Sequence, residues 1–161
     1  MEPCPPLKSF IESITTDHGI SILFPGSRLV LEKEGGYTLM IECVAPNRVI
    51  LAQRYVDSVG VVSCPLVVLW TGAPQWLPLG LHSEHDCTYA AEISEDGIRL
   101  ESIREVLQSD IARIDYDWAE SLSDGSWDHA ICVSKDAGDG AVAEMSVRTL
   151  LNLLGFPEET R

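Results

Sequence analysis

Apolar side chains recur every three or four residues near both ends of the chain, the spacing that places them on one face of an α-helix. Near the start, two prolines precede the pattern and Gly19 follows it. The inward positions of this first helix are Leu7, Phe10, Ile11 and Ile14. Near the end, the same spacing covers about residues 141–154 and stops before Gly155. Because proline is tolerated in the first helical turn and glycine often follows the last, we predict a helix in each place.

The most regular pattern covers about residues 101–122. Its apolar positions are Ile103, Val106, Leu107, Ile111, Ile114, Trp118 and Leu122. Its outer positions are Glu101, Glu105, Asp110, Asp117 and Glu120. We predict an amphipathic helix of about six turns, with the apolar positions facing a core and the acidic positions facing solvent.

Shorter runs with the two-residue period of β-strands lie between the helices and are separated by turn residues. They cover residues 20–24, 28–34, 37–45, 48–56, 61–70, 87–93 and 129–133. Pro65 falls inside one run, and since proline cannot donate a ladder hydrogen bond, we expect an edge strand or a bulge there. Strands followed by helices favour an α+β fold. We predict one domain over residues 1–161, in which the three helices cover one face of an antiparallel meander sheet.

Composition indicates the cellular compartment of the protein. Residues 1–10 lack the basic and apolar regions of a secretory signal, and no apolar run reaches the ~18 residues of a membrane span. The chain has five scattered cysteines, an odd number without a C-x-x-C pair. This usage is typical of reduced thiols, so we predict a cytoplasmic protein that does not enter a membrane.

Charge is the most informative global property. The formal net charge is −14. Residues 1–83 contain 7 acids and 5 bases, whereas residues 84–161 contain 18 acids and 6 bases. Proteins that bind nucleic acid need basic surface, so direct nucleic-acid binding is disfavoured, and a protein partner with a basic surface is favoured.

The acids are densest between Asp110 and Asp128, where six acids accompany Arg113 as the sole base. Two tryptophans, a residue type that often anchors interfaces, lie in the same stretch. We predict a partner-binding surface formed by Asp110, Asp115, Asp117, Trp118, Glu120, Asp124, Trp127 and Asp128. The competing interpretation is an ordinary solvated helix face with Trp118 in the core.

Metal-ligating residue types cluster in the segment "LHSEHDC". His82, His85 and Cys87 offer the nitrogen and sulfur ligands that zinc prefers, which raises the alternative of a small metal-dependent hydrolase. In a fully extended segment His85 and Cys87 share one face and His82 lies on the other. The competing interpretation is a polar connection before a strand, because no second ligand motif accompanies the segment.

No catalytic signature is present, since the chain lacks a G-x-S-x-G elbow, a glycine-rich phosphate loop and a nucleophilic cysteine motif. We therefore predict a non-enzymatic protein without a cofactor. A third hypothesis is a small-ligand binder, which would accept an anion if the fold gathered Arg48, Arg54 and Arg99 in one pocket.

Residues 48–81 contain an aromatic strand, a short polar turn, a strand with a proline and a W-x-P segment, and a helix with an internal tryptophan follows later. The positions concerned are Tyr55, the turn at 57–60, Pro65, the segment 76–78 and Trp118. This arrangement is similar to the central hairpin of an uncharacterised family carried on bacterial plasmids, phages and integrative elements. The turn lacks the family's Asn-Gly, and cysteine precedes Pro65 where aspartate is expected. The resemblance implies a mobile-element setting, in which small acidic proteins often inhibit host defences, and it implies no catalytic residue.

Overall fold

Seven antiparallel strands form the main sheet of the computed structural model, which describes residues 1–33, 37–56, 61–83, 87–125, 127 and 129–134. These strands are β1 (Arg28–Lys33), β2 (Tyr37–Ala45), β3 (Arg48–Val56), β4 (Val61–Trp70), β5 (Leu77–His82), β6 (Cys87–Tyr89) and β9 (His129–Ser134). A separate hairpin pairs β7 (Ala91–Ile93) with β8 (Leu100–Ile103), and the helices are α1 (Pro5–Asp17) and α2 (Glu105–Ser123). The predicted α+β class and the helix-covered meander are confirmed. The helix predicted at 141–154 lies outside the described residues.

Strands β1 to β6 follow one another across the sheet, and β9 pairs with β1 at the far side, giving the order β6-β5-β4-β3-β2-β1-β9. The tight β2–β3 turn places Asn47 in the left-handed region at φ 61°, a conformation that asparagine tolerates better than most residues. The β3–β4 register shifts between the pair Ala52–Leu66 and the pair Arg54–Ser63, so β4 has one extra residue there. The predicted irregularity at Pro65 is therefore confirmed, as a bulge inside a central strand.

The helices cover one face of the sheet and enclose the main core. Leu7 and Ile11 of α1 pack with Leu31, Ile41 and Leu51 of the strands, and each of these side chains is 0% exposed. The predicted inward face of α1 is confirmed, since Phe10 and Ile14 also pack against this core. The opposite face of the sheet carries a second cluster of buried residues, Met40, Ile50, Ala52, Leu66 and Val68.

Helix α2 differs from its prediction in both its start and its buried face. It begins at Glu105, because residues 100–103 form β8. Its buried residues are Gln108, Ile111, Ala112, Asp115, Ala119 and Leu122. Val106 and Ile114, which we predicted to face the core, are 80% and 47% exposed. The helix is rotated from the orientation that its apolar residues alone favour, and two polar side chains occupy the inner positions.

Two strand predictions were wrong in detail. Residues 20–24 form turns, with Ile20 and Ile22 buried and the Ser27 hydroxyl donating to the Ser21 carbonyl at 2.9 Å. The run 87–93 divides at Ala90 into strands of different sheets, because the Ala90 N–H donates to Leu79 while its carbonyl accepts from Arg104. In the part of the chain that the structure describes, neither helix combines the length and apolarity needed to cross a membrane.

Candidate functional site

The solvent-facing side of α2 combines negative charge with exposed apolar side chains. Its exposed acids are Glu105, Asp110, Asp117, Glu120 and, at the C-cap, Asp124. Its exposed large apolar residues are Val106, Ile114 and Tyr116. We call these residues together the α2 outer surface. Most of the sequence-predicted acids do lie on it, and the apolar members were missed because their spacing assigned Val106 and Ile114 to the core and left Tyr116 unassigned.

Acids without a neighbouring base lie toward the C-terminal end of α2. Near the middle of the helix, Asp110 is paired with Arg113 at 3.1 Å, which offsets its charge. Beyond that pair come Asp117, Glu120 and Asp124, and no basic residue lies in the last turn. The carbonyl end of a helix carries a partial negative charge of its own, so acids placed there are unfavourable for the isolated fold. The arrangement therefore concentrates uncompensated negative charge at one end of the helix.

Asp115 does not belong to this surface, contrary to our prediction. It is 0% exposed, and neither carboxylate oxygen has a hydrogen-bond partner among the described residues. Burial raises the pKa of Asp115 to about 8. At neutral pH most of the molecules therefore carry Asp115 in the uncharged form, and this acid adds little to the negative potential.

The two tryptophans of the predicted surface lie mainly inside the fold. Trp127 is 4% exposed and belongs to the main core, with the Lys33 ammonium 4.8 Å from its ring centroid. Trp118 is partly buried against the same core and donates from its indole N–H to the Gln53 side-chain oxygen at 3.2 Å. The prediction that Trp127 anchors a partner is therefore corrected, because its side chain is buried in the core. For the partly buried Trp118 a contact with a partner stays a prediction. Asp128 lies outside the described residues.

Gln108 connects α2 to the start of the chain, and sequence reasoning gave no signal for it. Its amide oxygen accepts from the Glu2 N–H at 2.7 Å, and its amide nitrogen donates to the Glu2 carbonyl at 2.7 Å and the Pro78 carbonyl at 3.1 Å. Gln108 itself is 0% exposed. Next to this contact is an open groove of about 350 Å³, whose lining includes Glu2 and Pro3 from the start of the chain and Tyr116 and Asp117 of α2.

The candidate metal ligands are arranged differently from an extended segment. His82 and Cys87 are direct antiparallel partners of β5 and β6, so they lie on the same face of a hairpin. His85 lies outside the described residues. Among the residues that are described, no three His, Cys, Asp or Glu side chains converge. Partial desolvation raises the pKa of the surface thiol of Cys87, which lowers the fraction of the metal-binding thiolate at neutral pH.

The three arginines of the ligand-binding hypothesis do not converge. Arg48 is the first residue of β3, and Arg54 lies six residues later in the same strand. Their Cα atoms are therefore roughly 20 Å apart. The Arg48 guanidinium lies close to Gly97, at 3.3 Å from the position that a β-carbon would take there. The exposed Arg99 belongs to the same turn as Gly97. Burial, and after it the charge of Arg28, lowers the pKa of Arg54. An anion pocket made by all three is therefore not formed.

Comparison of the chain with protein-family models, with curated proteins and with solved structures gave no match. The resemblance of residues 48–81 to a mobile-element family stays a prediction.

Proposed function

We propose that this chain is a non-enzymatic protein-binding module whose α2 outer surface contacts a partner with a basic surface. The observation that carries the proposal is the placement of Asp117, Glu120 and Asp124 toward the C-terminal end of α2, where the helix dipole makes acids costly. A cationic partner offsets that cost on binding. Electrostatic attraction of this kind mainly speeds association, and neighbouring apolar contacts slow dissociation.

The exposed apolar residues refine the kind of contact. Val106 is 80% exposed, and Ile114 and Tyr116 are each 47% exposed. A surface that bound through charge alone would gain nothing from them, whereas a protein interface buries such side chains next to charged ones. This supports a folded basic protein as partner. In its most specific form, we propose that the protein is a cytoplasmic inhibitor encoded by a mobile element or phage. Its target is a host defence protein that binds nucleic acid, and the acids of α2 take the place of the phosphates.

The location is part of the proposal and has its own support. Cys4 and Cys43 are buried free thiols, and Cys87 is a free thiol at the surface. Burial raises the pKa of both Cys4 and Cys43 to about 11, with Asp115 adding to the shift at Cys4 and Glu42 at Cys43. Free cysteines are typical of proteins in a reducing compartment, and this supports the cytoplasmic location that we propose.

The test compares two triple variants that change net charge equally. Asp117→Lys, Glu120→Lys and Asp124→Lys reverse the acids of the α2 outer surface, whereas Glu12→Lys, Asp17→Lys and Glu95→Lys reverse exposed acids elsewhere. Each protein is immobilised and used to capture proteins from a nuclease-treated bacterial lysate across a salt titration. The proposal expects loss of capture in the first variant alone, steepest at low salt, and release of the captured protein by added duplex DNA. Equal capture by both variants, or capture that is independent of salt, contradicts it.

A further inference from the structure

The open groove of about 350 Å³ lies where the start of the chain meets α2. Its lining includes Glu2 and Pro3 and, from the helix, Ala112 and Tyr116. Hydrogen bonds from Gln108 hold both backbone groups of Glu2, so this part of the lining is fixed to α2. Ala112 is one helical turn from Tyr116, and its single methyl group fills little of the space beside the ring. The groove is therefore preformed in the folded chain.

The lining of the groove has an excess of negative charge. Asp110 and Arg113, which both belong to it, form an ion pair at 3.1 Å, so their charges largely offset each other. Glu2 and Asp117 are the other charged members of the lining, and neither forms an ion pair among the described residues. A cationic group that enters the groove therefore approaches two carboxylates that have no counter-charge.

Tyr116 adds an aromatic ring to this lining and is 47% exposed. Elsewhere in the described part of the chain, lysine ammonium groups lie near the rings of Trp76, Tyr37 and Trp127, whereas no cation of these residues lies over Tyr116. A planar guanidinium stacks on an exposed aromatic ring while it donates to carboxylates, and a compact ammonium does this less well. The combination of a ring with carboxylates therefore favours arginine over lysine.

We propose that the groove receives an arginine side chain of the partner, with the guanidinium over the ring of Tyr116 and its charge offset by Asp117 and Glu2; the identity of the occupant rests on the proposed function. The groove shares Asp110, Tyr116 and Asp117 with the α2 outer surface, so it is continuous with the proposed interface. Its volume of about 350 Å³ is close to the lower limit of about 300 Å³ for small-ligand sites, which suits one long side chain. Arginine is also well suited to bidentate pairing with phosphate, so its capture would occupy a group that a nucleic-acid-binding target needs.

Two blocked tripeptides of equal charge test the groove without any partner, acetyl-Gly-Arg-Gly-amide and acetyl-Gly-Lys-Gly-amide. Each is titrated into the full chain and followed by NMR at about 0.15 M salt, where charges more than about 8 Å apart are largely screened. The arginine peptide is expected to shift the backbone amide signals of Ser109, Ala112 and Tyr116 and to leave that of Glu105, at the start of α2, in place. It is expected to bind about three- to fivefold more tightly than the lysine peptide.

Variants at exposed positions separate the ring from the charge. Tyr116→Leu removes the ring and is expected to abolish the preference for arginine, whereas Tyr116→Phe keeps the ring and the preference. Asp117→Asn is expected to weaken both peptides by about two- to fivefold. Asp17→Asn makes the same chemical change at the far end of α1, roughly 18 Å from the start of that helix, and should bind both peptides as the native chain does.

The native chain overturns the proposal if the arginine peptide shifts none of the groove signals, or if the two peptides bind equally well. A preference for arginine that persists in Tyr116→Leu overturns it too. These results leave the proposed function standing, because capture of a basic protein by the α2 outer surface needs no site that is specific for arginine. Failure of the proposed function appears instead as equal capture by the two triple variants.

Discussion

Gln108 forms a two-way hydrogen-bonded pair with the backbone of Glu2, with both donor–acceptor distances at 2.7 Å, across a separation of 106 residues. Backbone groups of a strand pair in this way with a neighbouring strand, and here a side-chain amide takes that role. The third bond, to the Pro78 carbonyl, joins the start of the chain, α2 and β5 at one point. The joint is polar although it lies inside the fold.

Gln108→Ala is expected to lower the free energy of unfolding by about 2–3 kcal/mol. The Pro78 carbonyl loses a buried donor, whereas water can replace the bonds at the exposed Glu2. Gln108→Met keeps the packing volume and removes the hydrogen bonds, so it separates the two contributions. Urea unfolding followed by tryptophan fluorescence measures both variants. Unfolding midpoints within 0.2 M of the native value in both would contradict a structural role for the joint.

Asp115 is expected to make stability fall as pH rises. Its carboxyl is protonated in the folded chain up to about pH 8, whereas in the unfolded chain it ionises near pH 4. Its contribution is fully present below pH 4 and is lost by about 1.4 kcal/mol per pH unit until pH 8. In Asp115→Asn this slope is expected to disappear.

Urea unfolding between pH 5 and pH 8 measures the slope, and the exposed Asp110 provides a matched control. Asp110→Asn makes the same chemical change on the same helix at an exposed position, so it is expected to leave the slope unchanged. The pH dependence of Asp115 ionisation lowers the free energy of unfolding by ~4 kcal/mol at pH 7. Asp115→Asn is expected to recover only part of that free energy, because the new amide is itself buried without partners. Parallel pH profiles for the native chain and Asp115→Asn would show that Asp115 ionises normally.

The sequence predicts those features of this fold that depend on apolar periodicity and turn chemistry. The α1 face, the meander and the irregularity at Pro65 all follow from local patterns, because each depends on spacing or on one missing donor. The orientation of α2 does not. Val106 and Ile114 have the spacing of a core stripe, yet Gln108 occupies the interior because Glu2 and Pro78 bond to its amide. Asp115 is also interior, although its carboxylate has no such partner among the described residues.

The candidate site was partly predictable for the same reason. Exposed acids are recognised from composition, so Asp117, Glu120 and Asp124 were identified correctly as solvent-facing. Their apolar neighbours were not, since exposure of an isoleucine at a core spacing is decided by the packing of distant segments. The pairing of His82 with Cys87 also depends on where a hairpin turns, which the residue types alone do not fix.

Ile114→Ser is expected to weaken capture of the basic partner by about tenfold, the effect of losing one apolar contact in an interface. Because Ile114 is 47% exposed, the change should leave the free energy of unfolding within about 0.5–1 kcal/mol of the native value. Ile98→Ser, at a residue that is 61% exposed in the β7–β8 turn, is the matched control and should bind normally. If both variants bind equally well, the apolar side chain of Ile114 does not contribute to partner binding, and charge alone accounts for it.

The His82–Cys87 pair is expected to contribute no metal-dependent stability. Two ligands on one hairpin fall short of the three or four that zinc sites use in proteins. Chelator treatment should therefore leave the melting temperature of the native chain unchanged, and His82→Ala with Cys87→Ser should not alter its metal content by elemental analysis. Stoichiometric zinc that is lost in this double variant would instead support the metal-dependent alternative, with His85 as a further ligand.

The acids at the two ends of α2 are expected to affect stability in opposite directions. Glu105 lies in the first turn, where negative charge is favoured by the helix dipole, and Glu120 lies in the last turn, where it is disfavoured. Glu120→Gln should therefore raise the free energy of unfolding by about 0.3–1 kcal/mol, and Glu105→Gln should lower it by a similar amount. Both variants lose one negative charge, so a general effect of net charge would shift them together.

Partner capture separates stability from function in the same pair. If the acids near the C-terminal end of α2 are retained for binding, Glu120→Gln should bind the basic partner more weakly although it is the more stable protein. Glu105→Gln should keep most of the capture although it is less stable. Unfolding in urea and capture at low salt give the two readings for each variant. A Glu120→Gln protein that is more stable and binds as well as the native chain would remove the reason for placing the partner at this end of the helix.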